Sequence, residues 1–148
     1  MPIEVMSIAA GRVRLWKHIG RVTLNDCLFA ISDTAARHLG ETSAHDLLLY
    51  APGAYADLTA DDLRRIIDAV VVAFPGRYQG NVKCAIIVGR LNYGITKLFC
   101  AFLDEERRID IPAFVFVSCR HALEWLGFRN SDINGILEEI GPGPWEPD

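Results

Sequence analysis

This chain lacks the clusters of cationic residues with which proteins bind nucleic acids. Its 148 residues include 15 Lys and Arg against 19 Asp and Glu, a net charge of −4. The pairs Arg64-Arg65 and Arg107-Arg108 are isolated, whereas binding to a phosphate backbone requires many cations on one surface. The composition therefore predicts no nucleic-acid partner.

The chain also has few cysteines, and none has a partner at metal-binding or redox spacing. Cys27, Cys84, Cys100 and Cys119 lie far apart without a Cys-x-x-Cys motif, which indicates reduced residues in a reducing compartment. We expect no metal and no cofactor. Cys119 with His121 leaves one enzymatic alternative open, a thiolate nucleophile, although the sequence shows no third member of such a site.

Long apolar runs and sequence motifs of known chemistry are absent as well. No run approaches the length of a membrane span, and Met1–Val5 lacks the basic and apolar blocks of a signal peptide. The chain contains no Gly-x-Gly-x-x-Gly, phosphate-binding loop or Gly-x-Ser-x-Gly motif. We therefore expect a cytoplasmic, non-enzymatic protein without integral membrane association.

What the chain does contain is an alternation of strand and helix patterns. In residues 82–89 and 113–117, apolar side chains occupy both the odd and the even positions. A segment with helical periodicity, residues 95–103, separates these two runs. This arrangement is typical of strand, helix and strand within a parallel sheet. Nearer the N-terminus, residues 3–8 and 12–19 predict a hairpin in which Gly11 provides the positive φ.

The complete pattern is β-β-α-β-α-β-α-β-α. It predicts an α/β domain over residues 1–128, a mixed five-stranded sheet with an antiparallel first strand and sequential parallel strands. Residues 129–148 are expected to form a C-terminal helical segment and a Pro/Gly tail. Right-handed crossovers would place all the helices on one face of the sheet. The other, apolar face then requires a cover, for which residues 132–140, a second subunit and a small apolar ligand are the candidates.

The candidate site lies where the parallel strands end, since open α/β sheets bind ligands outside the carboxyl ends of their strands. The residues expected near this edge, or on the helix beside it, are Tyr55, Arg90, Asn92, Tyr93, Lys97, Phe99, Arg120 and His121. For the polar residues of this set, the alternative interpretation is that they only cap helices or face solvent. Thr59 with Asp62 predicts a capped helix start.

Five segments make the chain resemble the SpoIIAA-like proteins, which are related to the STAS domain of anti-sigma-factor antagonists. They are Gly20–Thr23, Asp57–Leu63, Ala85–Gly89, Tyr93–Phe99 and Ala122–Gly127. The resemblance covers about Ile3 to Phe128 and is structural rather than catalytic in character. It implies the same sheet order and a non-enzymatic role in regulatory protein binding, small-ligand binding or peripheral membrane association.

The chain departs from that family at its phosphorylation motif. Phosphorylatable STAS domains carry a Ser or Thr at the start of the helix after the third strand, within an Asp-Ser/Thr-Ser-Gly type motif. The corresponding region here reads Tyr50 to Thr59 and lacks that motif. Thr59 is therefore better explained as a helix cap, although a phosphate there would lie favourably at a helix N-terminus.

Two functional hypotheses remain from the sequence. The leading one is a non-catalytic STAS-like module that binds a regulatory protein and associates with itself as a homodimer. The alternative is a binder or carrier of a small apolar or amphipathic molecule, with peripheral membrane association as a variant.

Overall fold

A computed structural model of the chain describes residues 2–37 and 43–141. The strands are β1 (Ile3–Ile8), β2 (Val13–His18), β3 (Arg21–Val22), β4 (His45–Tyr50), β5 (Tyr55–Ala56), β6 (Cys84–Ile87) and β7 (Ala113–Phe116). The helices are α1 (Leu24–Arg37), α2 (Ala60–Ala73), α3 (Arg90–Glu105), α4 (Cys119–Trp125) and α5 (Asn130–Ile140). Residues 142–148 of the predicted tail lie outside the described residues.

The main sheet has the strand order β1-β2-β4-β6-β7. β1 is antiparallel to β2, and the remaining neighbours are parallel, which confirms the predicted α/β class and mixed sheet. β3 and β5 form a separate two-stranded parallel sheet. That small sheet was not predicted, because two residues per strand are too few to show a period.

Helices α1, α2 and α3 connect the parallel strands and cover one face of the main sheet. Cys27 and Ile31 of α1 pack with Leu63 of α2 and with Trp16 of the sheet. Trp16 shares its side of β2 with Arg14 and His18, and all three are buried. The other side of β2 carries Val13 and Leu15, which are also buried. Both sides of the strand are therefore buried, because helices cover both faces of the sheet.

Helices α4 and α5 cover the opposite face, so the prediction that all the helices share one face is wrong. Ile133 and Ile136 of α5 lie in one core cluster with Leu15, Leu47 and Ile87 of the sheet. A crossover constrains only a helix between two parallel strands, and α4 follows the last strand. Of the three expected covers, the C-terminal segment is the one that the structure shows.

The turn between β1 and β2 is more strained than the sequence suggests. Gly11 has the expected positive φ of 84°, but Ala9 and Ala10 are also left-handed, with φ of 53° and 54°. This conformation is unfavourable for a residue that has a Cβ atom. The backbone N–H of Ala9 donates to the carboxylate of Glu139 on α5, with an N–Oε1 distance of 3.2 Å, which ties the turn to the C-terminal helix.

We expect Ala10→Gly to raise the free energy of unfolding by about 0.5–1 kcal/mol. Glycine relieves about 1–2 kcal/mol of left-handed strain, and the larger entropy of its unfolded chain offsets about 0.4–1 kcal/mol of that gain. Urea unfolding measures the change. Ala101→Gly, at an exposed position within α3, is the matched control and should lower the stability instead. Equal losses in both variants would contradict the strained conformation of Ala10.

Candidate functional site

A partly enclosed cavity of about 110 Å³ lies between the sheet and helices α1, α2 and α3. Most of the side chains that line it are apolar, among them Ile31, Leu48, Ile86, Ile95 and Phe99. Well-packed protein interiors contain few voids larger than a water molecule. A void of this size beneath three crossover helices is therefore the principal candidate for a functional site.

One part of the cavity wall is formed by a buried polar cluster around Asp46. Its Oδ1 accepts from Nε of Arg14 at 2.8 Å and from Nε1 of Trp16 at 3.0 Å. Its Oδ2 accepts from the hydroxyl of Tyr78 at 2.7 Å, and Nη2 of Arg77 lies 3.7 Å away. Burial and the nearby Asp46 charge raise the pKa of Tyr78. Both oxygens of the carboxylate are engaged, so we interpret the cluster as structural.

A second polar group, the stacked rings of His18 and Tyr50, lies at the carboxyl ends of β2 and β4. The ring centroids are 4.3 Å apart and the planes are inclined by 11°. Nδ1 of His18 donates to the carbonyl oxygen of Trp16 at 3.0 Å, since a carbonyl can only accept. Burial lowers the pKa of His18 to about 4, so the ring is neutral at pH 7.

The hydroxyl of Tyr50 is the uncommitted polar group of the cavity. Tyr50 lines the cavity, and burial raises its pKa, so the hydroxyl keeps its proton. Within residues 2–37 and 43–141 it forms no hydrogen bond, and its ring contact is with His18. Tyr50 is partly buried, and its oxygen is not among the buried side-chain atoms that lack a hydrogen-bond partner, so water can reach it. A ligand that enters the cavity could contact this hydroxyl in place of that water.

Two cysteine thiols complete the lining without adding reactivity. Burial raises the pKa of Cys27 to about 12 and also raises that of Cys84. The thiolate is the reactive and metal-binding form of cysteine, so both side chains behave as small apolar groups here. The described part of the chain also holds no group of three side chains that could bind a metal ion.

Tyr55 on β5 and the predicted site residues on α3 fall into three environments. Phe99 lines the cavity. Asn92 is buried and links two elements, because its Oδ1 accepts from the Ala56 backbone N–H and its Nδ2 donates to the Ala54 carbonyl, both at 2.8 Å. The others, Tyr55, Arg90, Tyr93 and Lys97, are exposed. The hydrogen bonds of Asn92 therefore tie α3 to the segment of residues 54–56.

Lys97 and Tyr93 belong to an exposed surface at the edge of the sheet rather than to the cavity. Nζ of Lys97 lies 5.9 Å from the ring centroids of Tyr93 and of Phe114. Phe114, on the edge strand β7, is 54% exposed. We name Tyr93, Lys97 and Phe114 the edge patch.

Arg120 and His121 are not brought to the cavity, because α4 lies on the opposite face of the sheet. Nη2 of Arg120 donates to Oδ1 of Asn134 at 2.7 Å. His121 is exposed, and its backbone N–H donates to Oγ of Ser118 at 3.3 Å. Cys119, the possible nucleophile beside them, has no exposed surface.

Thr59 caps α2 as the sequence predicts. Its hydroxyl oxygen accepts from the Asp62 backbone N–H at 3.1 Å, and the Asp62 carboxylate accepts from the Thr59 backbone N–H at 2.9 Å. This reciprocal pair is a capping box. A phosphorylation switch at Thr59 would have to break it.

Sequence reasoning did not identify the residues that characterise this cavity. His18, Trp16 and Tyr50 are not among the site residues that the sequence predicts. Asp46 and Tyr78 stand 32 residues apart in the chain, and no short motif relates them. The nearest sequence signal for the cluster around Asp46 was the position of Arg14, a charged residue among the apolar residues of a strand.

Comparisons with protein-family models, with curated proteins and with solved structures found no match to this chain. The resemblance to SpoIIAA-like proteins therefore stays a prediction. Among the described helices, none combines the length and the apolar character needed to cross a membrane.

Proposed function

We propose that this protein binds a small uncharged molecule in the cavity beneath α1, α2 and α3, and that it acts as a non-catalytic carrier or sensor. The cavity itself is the supporting observation, about 110 Å³ of space with mainly apolar walls and a few polar groups. That combination is characteristic of small-molecule sites. Of the two functions inferred from the sequence, this is the one that the geometry favours.

The size and the charge of the lining limit what such a site accepts. An enclosed apolar cavity of roughly 150 Å³ binds benzene. The present cavity of about 110 Å³ is only partly enclosed, so a molecule of one small ring can extend through its opening. Asp46 is the one charged side chain among the described lining residues, and hydrogen bonds already engage both its oxygens. A charged ligand would lose its hydration without gaining a partner.

Filling the cavity is expected to abolish this binding. Cys27→Leu adds apolar volume from α1 into the cavity, whereas Val72→Leu makes a similar addition at a position on α2 that is 79% exposed. Titration of toluene, followed by ligand-observed NMR, should show saturable binding to the original protein and to Val72→Leu but not to Cys27→Leu. Toluene binding that is unaffected by Cys27→Leu would place the binding site elsewhere.

We propose as a second function the STAS-like regulatory interaction that the resemblance implies, including self-association. The edge patch supports it, because β7 is the last strand of the sheet and lacks a strand partner on its outer side within the described structure. Lysine beside an edge strand opposes strand pairing, and Lys97 occupies that position. This function is therefore ranked second.

Native mass spectrometry tests the second function. If copies pair through the edge patch, the original protein is a dimer and Phe114→Lys is a monomer, because a cation replaces the exposed ring at the interface. A strict monomer at high concentration would contradict self-association. Within the described residues the four cysteines form no disulfide, which supports the proposed cytoplasmic location.

A further inference from the structure

We infer that the ligand of the cavity is a neutral, ring-sized molecule with one hydrogen-bonding group, a simple phenol or an alcohol of similar size, and that this group pairs with the hydroxyl of Tyr50. The inference rests on the proposed function and specifies the ligand class. Three features carry it: the position of Tyr50, the absence of an available charge on the described lining, and the aromatic and aliphatic walls.

Tyr50 is placed where a ligand can reach it and where no described residue satisfies it. Its ring is fixed by the stack with His18, 4.3 Å between centroids, and it is the last residue of β4, at the carboxyl end of the strand. Its hydroxyl forms no hydrogen bond within the described residues. The residue is partly buried, and a bound hydroxyl or carbonyl group would replace the water that reaches this hydroxyl and become its hydrogen-bond partner.

The surrounding groups select against ionic ligands. His18 is neutral at pH 7, because burial lowers its pKa to about 4, so it offers no cation to a carboxylate or a phosphate. The Cys27 and Cys84 thiols keep their protons. Asp46 is committed to Arg14, Trp16 and Tyr78, so it does not bind an ammonium group. A ligand with one uncharged polar group fits this set.

The remaining wall suits a compact apolar body. Phe99 and Ile95 of α3 approach from the helical layer, and Leu48 and Ile86 form the sheet side of the same cavity. Burial of apolar surface contributes about 25 cal/mol per Å², so the ring would provide most of the binding free energy. The hydrogen bond with Tyr50 would orient the ligand in the cavity. Among rings of equal size, it would favour those that carry a hydrogen-bonding group.

Three one-ring probes, one conservative variant and one matched control variant test the inference. Phenol, toluene and benzoate are titrated by ligand-observed NMR into the original protein, into Tyr50→Phe and into Tyr93→Phe, which removes an exposed hydroxyl from the edge patch. Circular dichroism and thermal unfolding establish that the variants are folded. We expect Tyr50→Phe to weaken phenol binding about two- to tenfold, the effect of one hydrogen bond.

Toluene binding should be unchanged in Tyr50→Phe, because toluene has no group to pair with the hydroxyl, and Tyr93→Phe should bind all probes like the original protein. Benzoate should not bind measurably. Phenol binding that is equal in both tyrosine variants, or benzoate binding as tight as that of phenol, would overturn the inference while toluene binding still upheld the proposed function. If neither toluene nor phenol bound, the proposed function itself would be contradicted.

Discussion

Asp46→Ala is expected to lower the free energy of unfolding by about 3–5 kcal/mol, the cost of removing one partner from a buried ion pair. Arg14 is 2% exposed and would keep its charge without the carboxylate 2.8 Å away. The Trp16 N–H and the Tyr78 hydroxyl would lose their acceptor in the same change. Urea unfolding at pH 7 measures the loss.

Asp57→Ala provides the control for this prediction. It removes the carboxylate of an ion pair with Arg21, which has an N–O distance of 2.6 Å but lies on the surface with side chains 60% and 50% exposed. Exposed pairs contribute about 0–1 kcal/mol, so this variant should lose no more than that. Similar losses in the two variants would contradict the burial of the Asp46 cluster.

The stability of the protein is expected to fall by about 3 kcal/mol between pH 6.5 and pH 4 because of His18. Its pKa is about 4 in the folded protein against an ordinary value of 6.5, so the unfolded chain takes up the proton first. The stabilising contribution is complete above pH 6.5 and is lost as the pH falls through this window. Each pKa unit corresponds to about 1.4 kcal/mol.

His18→Phe tests the origin of this pH dependence. Phenylalanine can still stack on Tyr50 but does not titrate, so the stability of the variant should change much less between pH 6.5 and pH 4. His45, whose pKa is also lowered by burial, accounts for part of the dependence that remains. His121→Gln removes an exposed histidine and should retain the original pH profile. An unchanged profile in His18→Phe would show that His18 is not responsible.

The parts of the fold that the sequence predicted are those with a strong local signal. The pairing of Thr59 with Asp62 marks the start of α2, and the uniformly apolar β6 indicates a strand buried on both sides. The sequence did not determine which segment covers the second face of the sheet. No local pattern specifies the face against which a helix after the last strand packs. The burial of Arg14 follows from tertiary packing as well.

The candidate site was only partly predictable, for a related reason. The rule that ligands lie at the carboxyl ends of strands points to the end of the sheet where Tyr50 and His18 lie, and the expected site residues included Phe99, which lines the cavity. The volume of the cavity depends on how completely side chains from distant segments fill the space between three helices and the sheet. Residues such as Cys27 and Ile86 contribute to that volume without any motif of their own.

The most direct test of the central claim is a crystal structure of the protein pressurised with xenon, an apolar atom that occupies dry cavities. The account predicts a xenon peak between Cys27, Tyr50, Ile86 and Phe99 in the original protein, and loss of the peak in Cys27→Leu. A cavity filled by the protein's own side chains, with no xenon at this position, would contradict the proposed binding site.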